Sequence, residues 1–219
     1  MKEFVKSHGA VHNDFLTRFS NGDVNEEERR RFAIEFFHFS REWPAILATL
    51  LVNTPDEQEA AALATILVSE LGDMHPCKKR HELLFRKFLG SIGIDPKEAM
   101  RREMLPATRA FIDGMKRLFS TADHTVALGA EFALETMAIP MWDLLIAGLK
   151  HWKQRAPVTD IVFFTFHRAL EQEHEDAVDG ILGMQHHDPA VQERFRNGAE
   201  ELLILLEEFW HGMEDNHAP

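Results

Sequence analysis

The chain reads Phe163-Phe164-Thr165-Phe166-His167-Arg168-Ala169-Leu170-Glu171-Gln172-Glu173-His174 in its C-terminal third. Steps of four and seven residues rotate an α-helix by about 40° and −20°, so they return side chains to one narrow stripe. His167, Glu171 and His174 are separated by these steps. Two imidazoles and a carboxylate on one stripe form a binding face for a borderline transition metal, iron in particular. The surrounding residues are apolar, and a buried His or Glu needs a partner, which a metal can be.

A second stretch with metal-ligand residue types runs from Glu70 to His81. Unbroken helix would place these two residues about 16 Å apart along the axis, too far to share one metal cluster. Gly72 and Pro76 break the helix between them, so the chain can turn back and bring the two side chains together. His75 is a competing ligand in the same stretch.

A third stretch, Ala127–Pro140, is mostly apolar but carries Glu131 and Glu135 on one helix face. An acid in such surroundings must be paired, protonated or bound to a metal. Pro140 leaves a helix carbonyl near residue 136 without its usual partner, a distortion that is common at functional sites.

Each stretch also has an explanation that involves no metal. Residues 167–174 could form a polar helix face with two surface histidines. The stretch after Glu70 could be a helix end capped by Gly72 and followed by a basic loop, and the acids near residue 135 could pair with an arginine. These alternatives stay open on the residue pattern alone.

Helical periodicity extends over nearly the whole chain, and no run alternates with period two for long enough to be a strand. Caps, prolines and glycines predict helices over residues 25–51, 54–71, 81–90, 95–119, 124–153, 157–183 and 188–211, with a kink at Pro44 and an interruption near Pro140. We therefore predict an all-α fold in which residues 1–219 form one compact seven-helix bundle.

Composition narrows the range of partners. The 36 acidic residues outnumber the 24 Lys and Arg, and the net charge of −12 repels phosphate backbones and anionic lipid, so we expect neither nucleic acid nor a membrane as a partner. The longest apolar runs, Ala60–Val68 and Ala45–Val52, are too short to cross a bilayer. A single cysteine, Cys77, and an N-terminus without a secretory signal predict a cytoplasmic location.

Taken in order, these stretches resemble the haem-oxygenase-like diiron oxidases, the metal-binding relatives of TenA (thiaminase-II) and pyrroloquinoline-quinone synthase. The motifs that carry the resemblance are Glu70-x-Gly72, His81-x-x-Leu84, Ala127-Leu128-Gly129 with Glu135 and Pro140, and Phe163-Phe164-x-x-His167-x-x-x-Glu171-x-x-His174. The early stretch from His12 to Pro44 is also similar. The resemblance covers most of residues 8–185 and implies a seven-helix bundle that holds two Fe²⁺ ions.

Position by position, the resemblance implies three carboxylates and three histidines as iron ligands: Glu70, His81, Glu135, His167, Glu171 and His174. Glu135 is the implied bridging carboxylate. Two positions depart from the family pattern. The family often has Asp where this chain has Glu171, and Glu135 lies one residue farther from Pro140 than usual, which leaves Glu131 as a substitute ligand.

The implied activity is that of a non-haem diiron oxidase that uses O2 to oxidise a small organic substrate, such as an amine, an amino acid or a fatty acid. Two related activities do not fit the sequence. A thiaminase-like enzyme needs a cysteine in the mid-chain helices, whereas Cys77 lies in a loop. The members that make para-aminobenzoate from their own tyrosine are not a model, because this chain contains no tyrosine.

The substrate pocket is predicted to be lined by Phe36, Phe37, His38, Trp43, Met137, Ile139, Phe163 and Phe166, although each aromatic side chain would also fit an ordinary core. Arg168 or His38 facing the cavity would favour a carboxylate substrate. An electron donor is a further expected partner, and the acidic surface permits a homodimer. The alternative functions are a TenA-like or pyrroloquinoline-quinone-synthase-like enzyme that works without metal, and a non-catalytic helical bundle that binds a ligand or metal.

Overall fold

The structure, a computed structural model, describes residues 1–72, 80–170 and 188–214. These residues contain ten helices and no strand. The helices are α1 (Lys2–Lys6), α2 (Asp14–Asn21), α3 (Glu26–Asn53), α4 (Glu57–Leu71), α5 (His81–Ser91), α6 (Pro96–Arg101), α7 (Pro106–Phe119), α8 (His124–Arg155), α9 (162–170 within the described residues) and α10 (Pro189–His211). The predicted all-α class is confirmed.

The count of ten corrects the predicted seven. Two short helices, α1 and α2, precede the first predicted one. The predicted helix over 95–119 is divided into α6 and α7, and the backbone is extended at both Arg102 and Leu105 between them. Leu105 precedes Pro106, and a proline ring disfavours the helical conformation in the residue before it.

Prolines have a weaker effect inside the long helices. The interruption predicted near Pro140 is wrong, since α8 runs without a break from His124 to Arg155, and α3 likewise continues through Pro44. A proline removes one hydrogen bond from the helix ladder and costs about 3 kcal/mol. Most of α8 around its proline is buried, and we attribute the continuity of the helix to the stabilisation that this burial provides.

Local capping signals begin the main helices where the sequence places them. Asn25 accepts a hydrogen bond from the Glu28 backbone N–H at 2.9 Å, and the Glu28 side chain accepts one from the Asn25 backbone, which forms a capping box at the start of α3. Asp56 caps α4 by accepting hydrogen bonds from the backbone N–H groups of Gln58 and Glu59. Gly72 ends α4 in the left-handed conformation, with φ at 90°, and thereby sets where Glu70 lies relative to the end of its helix.

Helix α8 lies at the centre of the fold and packs against α2, α7 and α10, while α3 packs against α4 and α7. By length and composition α8 could span a bilayer, but 72% of its apolar window is buried inside the protein. We therefore assign α8 as a core helix of the protein. Phe36 of α3 links the elements of the core, since its ring lies 5.4–6.4 Å from rings on α3, α5, α8, α9 and α10: Phe32, Phe85, Trp142, Phe164 and Trp210.

The backbones of α8 and α10 touch where they cross. A Cβ atom on Gly129 would lie 1.9 Å from the carbonyl oxygen of Phe195, and one on Gly198 would lie 1.9 Å from the carbonyl oxygen of Val126. Each glycine therefore faces the backbone of the other helix, and no larger residue fits without moving the two helices apart.

We predict that Gly129→Ala and Gly198→Ala each lower the free energy of unfolding by about 2 kcal/mol, because the added methyl group has to push backbone atoms away. Urea unfolding followed by circular dichroism measures the change. Gly90 is the matched control, since a Cβ there would meet no atom within 4 Å. Gly90→Ala should raise stability by about 0.5–1 kcal/mol. Unchanged stability in the first two variants would contradict the close crossing.

Candidate metal centre

Three buried side chains from three helices meet at one place: Glu70 of α4, His81 of α5 and His167 of α9. Each offers one ligand atom, and these atoms lie within 4.8 Å of one another. Glu70 Oε2 lies 2.8 Å from His81 Nδ1 and 3.8 Å from His167 Nε2. The two imidazole rings have their centroids 4.2 Å apart. The spacing matches that of ligands around a single metal position.

The break in the helix between Glu70 and His81 explains how these residues come together. Helix α4 ends at Leu71, one residue after Glu70, and His81 is the first residue of α5. The end of α4 and the start of α5 therefore lie close together, and the two side chains reach hydrogen-bonding distance. His75, the competing ligand considered from the sequence, lies outside the described residues, as does Cys77.

Hydrogen bonding fixes which nitrogen of His167 is available. Its Nδ1 lies 2.8 Å from the carbonyl oxygen of Phe163. A carbonyl oxygen can only accept, so Nδ1 carries the proton and donates it, and Nε2 keeps its lone pair. Histidines that bind metals are oriented by a backbone carbonyl in the same way.

His81 also presents an unused nitrogen. Its Nδ1 faces the Glu70 carboxylate, which as an acceptor places the proton on Nδ1. Its Nε2 is buried and has no hydrogen-bond partner within residues 1–72, 80–170 and 188–214. A buried polar atom without a partner is costly, and metal coordination would relieve that cost. The residue types and the orphaned nitrogen therefore fit a metal ion.

The electrostatics of the cluster put Glu70 and His167 in the protonation states that metal ligands need. Burial by itself would raise the pKa of the Glu70 carboxyl, but the polar contacts of His167 and His81 outweigh it and hold this pKa well below its ordinary value. Burial, reinforced by the nearby His81, lowers the pKa of His167 below the ordinary 6.5 despite the opposing effect of Glu70. At neutral pH the cluster thus contains a carboxylate and a neutral His167 imidazole, the forms that bind metals.

The other predicted ligands are not part of this three-residue cluster. Glu135 is buried on α8 and lines the same cavity as Glu70 and His167. Glu131, one helical turn earlier, is also buried but is not among the described residues that line this cavity. Glu171 and His174 lie outside the described residues, so their positions stay predictions.

A mainly apolar cavity opens beside the cluster, with an empty volume of about 500 Å³ counting space open to solvent. Its walls come from α3, α4, α8 and α9: Phe36, Phe39, Ser40, Trp43, Glu70, Leu134, Glu135, Met137, Ala138, Met141, Trp142, Phe163 and His167. A mainly apolar lining with a few polar groups is typical of sites for small organic ligands.

Four of the eight predicted pocket residues line this cavity, namely Phe36, Trp43, Met137 and Phe163, whereas Phe37, His38, Ile139 and Phe166 do not. The face of α3 towards the cavity follows steps of three, four and seven residues from Phe36. These steps select Phe39, Ser40 and Trp43. Applying helical spacing to the sequence would have found Phe39 and Ser40 and excluded the residues next to Phe36.

The residues that miss the cavity have other neighbours. The ring of Phe37 lies 5.4 Å from that of Phe85, and the ring of Phe166 lies 5.4 Å from that of His81. His38 is buried elsewhere, and burial is the main cause of its lowered pKa. Arg168 binds Asp143 at 2.7 Å on the surface, so neither basic group that would have favoured a carboxylate substrate faces the cavity.

We predict that acidification destabilises the metal-free protein through His167. Because the pKa of this residue lies below 6.5 in the folded state, the unfolded chain takes up the proton first as the pH falls. The free energy of unfolding should therefore decrease between about pH 7.5 and about pH 5.5, and less steeply in His167→Phe, which binds no proton. Urea unfolding at several pH values measures both curves. A substitution of the exposed His151 serves as the control. A parallel decrease in the free energy of unfolding of the wild type and of His167→Phe would contradict the prediction.

Sequence comparison identifies two characterised relatives at low identity. The chain is 27% identical to a 4-chloro-allylglycine synthase of Streptantibioticus cattleyicolor over 211 residues, which cover 96% of this chain and 80% of the relative. It is 22% identical to a 4-aminobenzoate synthase of Chlamydia pneumoniae, covering 95% of this chain and 90% of the relative.

Structure and family comparisons agree with this. A protein of unknown function with a haem-oxygenase-like fold from Shewanella denitrificans superposes with a TM-score of 0.74 at 17% identity, covering 93% of this chain and 85% of that one. Residues 30–207 match the model of a haem-oxygenase-like family described as iron-containing redox enzymes. The match extends over most of the chain and includes the whole buried cluster. The chain therefore belongs to this family of iron-containing redox enzymes.

Proposed function

We propose that this protein is a non-haem diiron oxidase that uses O2 to oxidise a small organic substrate. The observation that carries the proposal is the buried cluster of Glu70, His81 and His167 on the wall of a mainly apolar cavity. Membership of an iron-containing redox family supports iron as the metal. The names of the two relatives refer to small amino-acid or aminobenzoate products, which supports a small substrate such as an amine, an amino acid or a fatty acid.

Iron binding would use the described cluster together with residues predicted from the sequence. Glu70, His81 and His167 would provide one carboxylate and two imidazoles, and Glu135 would add a second carboxylate from α8. Glu171 and His174 are the fifth and sixth predicted ligands. Six such ligands shared by two ions leave open positions on both, which is typical of iron sites that react with O2. When bound, the two Fe²⁺ ions supply the electrons and the Lewis acidity for O2 activation, and an external electron donor restores them.

The protein's own residues hold and isolate the site. The Phe163 carbonyl keeps the proton of His167 on Nδ1 and so leaves Nε2 for iron. The pKa of Glu70 is low enough to keep the carboxylate ionised at neutral pH. Rings of Phe36, Trp43 and Phe163 on the cavity wall limit the access of water to the cluster and orient the apolar part of a substrate.

The alternative functions receive less support. A carboxylate between two imidazoles can also carry out acid–base chemistry without metal. That reading leaves the buried Nε2 of His81 without a partner in the described residues and does not use the family's iron. A purely structural or storage role would not call for a cavity beside the cluster.

We predict that the purified protein binds about two Fe²⁺ per chain in an anaerobic titration and then consumes O2, with a change in its visible absorption spectrum. His167→Ala should lose most of the iron and the O2 consumption, because it removes a ligand from a site with few spare donors. His174→Ala should do the same. His151→Ala, a substitution of an exposed histidine outside the cluster, is the control and should bind iron like the wild type.

Absence of iron uptake by the wild-type protein would contradict the proposal and favour the metal-free alternative. Full iron binding by His167→Ala would mean that the cluster is not the iron site. Iron binding without O2 consumption would favour a storage role.

A further inference from the structure

The wall of the cavity away from the predicted ligands is almost entirely apolar. Apart from Glu70, Glu135 and His167, the described lining residues are aromatic or aliphatic, with a single exception, Ser40. The aliphatic and sulfur-containing residues all belong to α8: Leu134, Met137, Ala138 and Met141. The aromatic ones come from α3, α8 and α9.

A negatively charged group on a ligand would have no counter-charge along this wall. No Lys or Arg is present among the described residues that line it. Arg168, a basic candidate from the sequence, is bound to Asp143 outside. A carboxylate group placed between α3 and α8 would therefore lose its hydration without compensation, which is strongly unfavourable. An ammonium group would be attracted to Glu70 and Glu135 at the other end of the cavity and not to this wall.

Ser40 is unusual among the hydroxyl groups of its helix. Thr49, farther along α3, donates its hydroxyl proton to the carbonyl of Ala45 at 3.0 Å, as helical hydroxyls commonly do. Ser40 is half-buried and lies on the cavity wall. Among the described residues, no hydrogen bond like that of Thr49 is seen for its hydroxyl. It can therefore both donate a hydrogen bond to a ligand and accept one from it.

We infer that the part of the substrate held between α3 and α8 is an uncharged hydrocarbon or aryl group with one neutral hydrogen-bonding group, which Ser40 binds. Ser40 is accordingly a specificity-determining residue. This inference rests on the proposed function only in treating the ligand as the substrate of the metal centre. Any charged group of the substrate then lies at the metal end of the cavity or outside it.

The test compares two ligands of equal chain length and different head-group charge: hexan-1-ol and hexanoate. Each is titrated into the full chain after removal of iron, so that hexanoate cannot bind to metal. Tryptophan fluorescence reports binding, since Trp43 and Trp142 line the cavity. Hexan-1-ol should bind at least about tenfold more tightly than hexanoate, because the wall offers no positive counter-charge.

Variants assign this preference to the cavity. Ser40→Ala should weaken hexan-1-ol binding by about threefold to tenfold through the loss of one hydrogen bond, and leave binding of toluene, which has no polar group, unchanged. Ser20→Ala is the matched control, because Ser20 lies on α2 and bonds only its own helix through the carbonyl of Thr17. Ala138→Phe should abolish binding of both ligands by filling the cavity, and Ala138→Leu replaces it if the larger substitution prevents folding.

Equal or tighter binding of hexanoate would overturn the inference. So would unchanged hexan-1-ol binding in Ser40→Ala, or full binding in a folded Ala138 variant. These measurements use no iron and no O2, so the inference can fail while the diiron proposal holds, and the reverse.

Discussion

The contact between Glu70 and His81 is the constraint on which the rest of the site depends. A carboxylate in an apolar interior is unfavourable unless a polar group faces it. His81 provides that group at 2.8 Å, and it can do so because α4 stops at Leu71 and α5 begins at His81. The end of α4 and the start of α5 are thereby linked to each other and to His167 on a third helix. The three side chains do not satisfy one another completely, since Nε2 of His81 has no hydrogen-bond partner among the described residues.

The scaffold places this cluster against a wall that belongs to other helices. Phe36 packs its ring among rings from several elements, which fixes the rotation of α3 and turns Phe39, Ser40 and Trp43 towards the cavity. The close crossing at Gly129 holds α8 against α10 on its far side. Helix α8 can therefore be buried on its outer side and still present Glu135 and a row of apolar side chains to the site.

Local signals were sufficient for much of this to be predicted from the sequence. The cap at Asn25 and the stop at Gly72 gave correct helix boundaries, because they depend on neighbouring residues alone. The start predicted at residue 54 was early, because Asp56 is the cap of α4. The division between α6 and α7 was missed although Pro106 signals it, and the interruption near Pro140 was wrong because burial outweighs a local penalty. Helical spacing from Phe36 selects Phe39 and Ser40 once the face of α3 towards the cavity is known, but the packing of α3 determines which face that is.

The two ends of the cavity differ in polarity. At the cluster end, contacts with His167 and His81 keep the pKa of Glu70 low despite burial, and burial lowers the pKa of His167. The other end contains one hydroxyl among apolar side chains. A ligand that filled the apolar end would displace water from beside the cluster. In the proposed enzyme, binding of the substrate would therefore also exclude water from the metal ligands, because the charged and the apolar surfaces share one cavity.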